Sequence, residues 1–150
     1  MTATARIQDF KSHVGATVKV SGWIHNKRSS GKLQFLILRD GTGYAQAVVS
    51  KAAVSEDAWT SLEKAGQESS LEVTGLVKED KRAPGGFEMD VKDVTIVQST
   101  HDFPITPKDH GTAFLMENRH LWLRSEKQHA IIRIRHAVIK AFRDYLDEQG

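Results

Sequence analysis

The stretch KLQFLILRDGTGYAQAVVS, Lys32 to Ser50, restricts the fold more than any other part of the chain. Two apolar runs flank a DGTG turn, the pattern of a β-hairpin. Upstream, ATVKVSGWIHNKRS alternates: Val18, Val20 and Ile24 point one way, Thr17, Lys19 and Ser21 the other, as in a half-buried strand. Gly22 interrupts that run as a bulge or sharp bend would. Before it, RIQDFKSHVG places Ile7, Phe10 and Val14 at helical spacing and stops on Gly15, which predicts a short amphipathic helix. After the hairpin, SEDAWTSLEKAG predicts another short helix, with Ser55 as N-cap and Gly66 as stop. SSLEVTGLVKED then puts Leu71, Val73, Gly75 and Val77 on one face. Past the KRAPGG loop, FEMDVKDVTIVQS sets Phe87, Met89 and Val91 against Glu88 and Asp90.

The order is three strands, one helix, two strands. That is the element order of the OB-fold, an all-β barrel whose second and third strands bind oligonucleotides. The barrel is expected over residues 1–98. Near Ser99 the period is lost, and residues 99–125 read as a linker containing a short helix. SEKQ, from Ser125, is a capping box. From residue 126 to 150 the pattern is helical, with Ile131, Ile134, Val138, Phe142 and Leu146 on one stripe. At 1.5 Å per residue that helix is roughly 35 Å long. One apolar stripe on a helix of that length needs a partner surface. The second half is therefore expected to open a larger domain continuing beyond Gly150.

Composition excludes several classes. There are no cysteines, hence no disulfide framework and no thiolate metal site. No apolar run approaches the roughly 18 residues of a membrane span, and MTATARIQDF lacks a signal-peptide pattern. A cytoplasmic protein without membrane contact is the expectation. Net charge is only +2. Its distribution is uneven: between Asp9 and Asp40 lie Lys11, Lys19, Lys27, Arg28, Lys32 and Arg39 with no acid among them. Such a patch can steer a polyanion, although a charge run is more often a solvated face. No HExxH, GxSxG, P-loop or GxGxxG occurs. His129 and His136 share a helix face without a third ligand, so no metal site is expected. No catalytic constellation is found, which leaves binding. Single-stranded bases are recognised by stacking on aromatics and by hydrogen bonds to their edges. Gln46 carries both a donor and an acceptor, and the small residues Ala45, Ala47 and Val49 on the other face of its strand turn it outward. For Phe35 the pattern leaves both faces open.

GWIHNKRSSGKLQFLILRDGTGYAQAVV resembles the N-terminal anticodon-binding domain of class IIb aminoacyl-tRNA synthetases, which charge aspartate, asparagine or lysine. KEDKRAPGGFEMDV and FPITPKDHGTAFLMENRHLWLRS are similar specifically to the asparaginyl-tRNA synthetases. Trp122 stands where aspartyl enzymes usually carry aspartate. The resemblance implies that Phe35 stacks on the central anticodon base, a uridine, and that Gln46 hydrogen-bonds it. It places Arg28 near the same nucleotides and Glu88 at the first anticodon base. Lys27 and Lys32 are expected at the RNA backbone. The long helix, with Ile131, Ile134, Val138 and Phe142, matches class II motif 1 at a homodimer interface, the start of an α+β catalytic domain. The partner implied is tRNA(Asn). The intact enzyme is expected to use ATP and Mg²⁺ to form asparaginyl-adenylate; no catalytic residue and no cofactor are expected within these 150 residues. An aspartate–tRNA ligase, one charging both tRNAs included, and a free-standing OB module are the alternatives.

Overall fold

A computed structural model describes residues 2–150. The chain divides into two compact units, with the boundary between Phe103 and Pro104. The first contains β1 (Ala3–Thr4), a 3-10 helix (Ile7–His13), β2 (Thr17–Ser30), β3 (Leu33–Arg39), β4 (Tyr44–Ser50), α1 (Glu56–Lys64), β5 (Ser70–Glu79) and β6 (Phe87–Gln98). The sheet order is β1-β2-β3-β4-β6-β5, and β5 returns to pair with β2. The five long strands thus close into the OB barrel, with α1 between the third and fourth of them. β1 adds two residues parallel to β2; so short a strand carries no readable period.

Closure depends on β2. Its first part, Thr17 to Trp23, pairs with β5, and its second, Trp23 to Ser30, pairs with β3. At the changeover a Cβ on Gly22 would lie 2.6 Å from the Arg39 carbonyl oxygen. Glycine is there because the β3 backbone passes where a side chain would stand. The bulge itself lies just beyond, between Ile24 and Asn26.

Val18, Val20, Ile24, Leu36, Leu38, Ala45, Ala47, Val49, Leu71, Val73, Met89 and Val91 fill the barrel, joined by Trp59 and Leu62 of α1. Ser55 caps α1 as expected, its side chain accepting from the Ala58 N–H. The Asp40 carboxylate organises the DGTG turn. Its Oδ1 accepts from the Thr42 N–H at 2.8 Å and its Oδ2 from the Ile7 N–H at 2.8 Å, tying the N-terminal segment to the hairpin. The short helix expected there is a 3-10 helix. Its period of three stacks Ile7 and Phe10 on the buried side and leaves Val14 exposed past the last turn.

The second unit holds α2 (Thr112–Glu117), α3 (Arg119–Trp122) and α4 (Glu126–Gln149). Ser125 is the N-cap of α4, accepting from the Gln128 N–H. No residue of α4 is buried. Ile131, Ile134, Val138, Phe142 and Leu146 all stand exposed.

Candidate nucleic-acid interface

The bulge in β2 decides which residues reach the outer face of the barrel. Ahead of it the even-numbered residues Val18, Val20 and Ile24 are buried. His25 is the extra residue, and past it the alternation is inverted. Arg28 therefore faces out beside Phe35, with which it pairs. Lys27, opposite the buried Leu36, faces in. On β3, Gln34, Leu36 and Leu38 are buried, while Phe35 and Ile37 are half-buried and face outward. The two possibilities left open for Phe35 are thus resolved toward the surface. Its ring lies under the Arg28 guanidinium, 4.2 Å from the guanidinium carbon to the ring centroid.

On β4, Tyr44, Gln46 and Val48 share the outer face. Val48 pairs with Phe35, and Gln46 pairs with Ile37 on one side and Glu88 of β6 on the other. The Gln46 Nε2 donates to Glu88 Oε2 at 2.6 Å. Lys78 of β5 lies opposite Glu88, and its ammonium is 2.8 Å from Asp90 Oδ2. The hydrogen bond to Asp90 raises the Lys78 pKa. In the loop before β6, Arg82 and Asp80 pair, which lowers the Asp80 pKa. The four residues Arg28, Phe35, Gln46 and Glu88 therefore meet on one face across β2, β3, β4 and β6. It offers a half-buried aromatic, an amide with hydrogen-bonding capacity, and flanking cations and carboxylates. That combination suits a planar, polar-edged ligand such as a nucleobase. Lys32 lies in the exposed turn between β2 and β3.

Lys27 departs from the expected backbone contact. Its ammonium donates to the carbonyls of Leu62, Glu63 and Ala65 at 2.7, 2.9 and 2.6 Å. All three protons are used at the C-terminus of α1, where the helix dipole favours a cation. Burial pushes the Lys27 pKa down and the Glu63 carboxylate pulls it partly back. In this structure the residue is a helix cap.

Two further features lay outside the sequence reading. Arg39 and Glu68 form a buried bidentate pair at 2.9 and 2.7 Å. Gln34 is fully buried, and its amide nitrogen and oxygen have no hydrogen-bond partner among the described residues. Its parity with Leu36 and Leu38 was the available signal. Ile131, Ile134, Val138 and Phe142 belong to the second unit. Among the described residues no three His, Cys, Asp or Glu side chains are grouped to hold a metal ion.

The tRNA anti-codon family model, described as an OB-fold nucleic acid binding domain, matches residues 18–97. The chain belongs to this family. The match contains Arg28, Phe35, Gln46 and Glu88 and thus the whole outer platform of this OB domain. Among solved structures, asparaginyl-tRNA synthetase from Pyrococcus horikoshii, complexed with asparaginyl-adenylate, is 37% identical with a TM-score of 0.89 over 100% of this chain and 35% of that one. Asparaginyl-tRNA synthetase from Entamoeba histolytica, also with asparaginyl-adenylate, is 25% identical with a TM-score of 0.80, covering 99% and 36%. The aspartyl-tRNA synthetase of the same organism is 23% identical with a TM-score of 0.83, covering 99% and 38%, a likeness of fold. The chain spans little more than a third of each.

Proposed function

We propose that this chain is the anticodon-binding portion of an asparagine–tRNA ligase. The observation that carries the reading is the outward platform, with Phe35 beneath Arg28 and Gln46 held beside Glu88. Phe35 stacks on the central anticodon base, Gln46 reads the edge of that base, and Glu88 meets the first base. Arg28 and Lys32 supply positive charge to the loop's phosphates. Identity of 37% along the whole chain favours the asparagine enzyme. The aspartate enzyme is the second reading, because the GUU and GUC anticodons share the two bases that this face is proposed to meet. Activation of asparagine with ATP and Mg²⁺, homodimer formation and a cytoplasmic setting belong to the proposal for the longer protein. They would rest on the part of the relatives that this chain does not span.

The test is binding of the chain to anticodon stem-loops. Loops reading GUU and GUC, and one with the central base changed, should rank with both uridine-centred loops ahead. Phe35→Ala should lose about 1–3 kcal/mol of affinity, the value of one base–aromatic stack. Its melting temperature should hardly move, because the ring packs outside the barrel. A melt that collapses, with affinity tracking the folded fraction, would make Phe35 a core residue and remove the platform.

A further inference from the structure

We propose that Glu88 is a positioning residue for Gln46, and that by fixing the orientation of the Gln46 amide it makes this face select uracil over cytosine. The inference rests on the anticodon reading above. A primary amide has an acceptor on one side and donors on the other. Uracil offers O4 as acceptor beside N3–H as donor. Cytosine offers N4–H as donor beside N3 as acceptor, the reverse order. An amide free to turn over by half a rotation complements both pyrimidines equally. Selection needs the amide to be held one way round.

The held orientation is set by the contact across β4 and β6. An ionised carboxylate only accepts, so the Gln46 atom facing Glu88 Oε2 at 2.6 Å is the nitrogen. The Gln46 Oε1 is left as the acceptor, and one N–H remains to donate. The parallel register that sets Gln46 opposite Glu88 builds the pair into the barrel. Two cations that feel the Glu88 charge, Lys78 and Arg82, are themselves bonded to Asp90 and Asp80. Each is engaged by its own aspartate, and the Glu88 carboxylate keeps its amide partner.

The experiment uses stem-loops whose first anticodon position is abasic, so that Glu88 has no base of its own to meet. The central position is uridine or cytidine. Wild-type protein should favour uridine, and Glu88→Gln, which can bond the amide either way round, should reduce the preference by about tenfold, the scale of one bidentate base contact. In a Gln46→Ala background the same change should leave the uridine-to-cytidine ratio where it was. In the free protein, one Gln46 side-chain amide proton resonance should shift in Glu88→Gln, and thermal melting should stay near wild type. An unchanged ratio in the single variant, or a further drop in the Gln46→Ala background, would overturn the inference while leaving the anticodon reading intact. A wild-type chain with no central-base preference would overturn both.

Discussion

Lys27 and Arg28 are neighbours in sequence with opposite roles. The ammonium of Lys27 closes the C-terminus of α1 through three carbonyls, while the guanidinium of Arg28 lies over an outward aromatic ring. Lys27→Met keeps the aliphatic stem and removes the donors. It should cost about 1–3 kcal/mol of stability, since carbonyls at a helix end lose their partner in a half-buried place. Chemical denaturation measures this. The same variant should leave the slope of RNA affinity against salt unchanged, whereas Arg28→Ala should reduce it by about one phosphate's worth. A slope altered equally by both would return Lys27 to the RNA. Residue types alone could not separate the two. Which of two adjacent cations faces out depends on the single extra residue at His25, and nothing in the run IHNKR marks a bulge there. Gln46 was legible, because alternating small residues announce a buried face on the other side of its strand. Phe35 was not, because Leu33, Phe35 and Ile37 are as apolar as Leu36 and Leu38.

Among the elements, β2 bears the greatest geometric demand. It serves two partners along 14 residues and must turn between them. Gly22 makes the turn possible. Gly22→Ala would drive a methyl group to 2.6 Å from the Arg39 carbonyl oxygen. Backbone cannot rotate away as a side chain can, so β3 must shift, at a cost of about 1–3 kcal/mol. The shift would also strain the buried Arg39–Glu68 pair, whose guanidinium and carboxylate lie 2.7 Å apart at their closest. The expected result is a lowered melting temperature with RNA affinity per folded molecule retained, because the platform lies farther along the strand. A melt equal to wild type would mean that the bend is relaxed in solution. The order of the elements was readable from period and turn chemistry; the closure of β5 onto β2 was not, because it joins segments about 50 residues apart and has no local signature.

At the scale of the whole molecule, the two units differ in what they bury. The barrel encloses an apolar core drawn from every long strand. The helix α4 encloses nothing: Ile134 is 65% exposed, Phe142 68% and Leu146 63%. Contiguous apolar surface of that kind drives association when nothing covers it. Each large side chain buried from water contributes about 1.5–3 kcal/mol, so covering several of them on a second copy would offset a substantial cost of association. The 150-residue chain is therefore expected to associate with rising concentration, and sedimentation velocity should show it. Replacing Ile134 and Phe142 together with Glu should keep the chain monomeric while the barrel melts as before, since neither residue belongs to the barrel core. In dilute solution, hydrogen exchange over residues 126–149 should be faster than in β2 to β6, because an isolated helix frays readily. On association that protection should rise and the barrel's should not. A chain that stays monomeric at high concentration, with α4 amides as protected as those of the strands, would mean that the stripe finds its cover within the chain in solution, and the expected role of this helix as a contact between copies would fall.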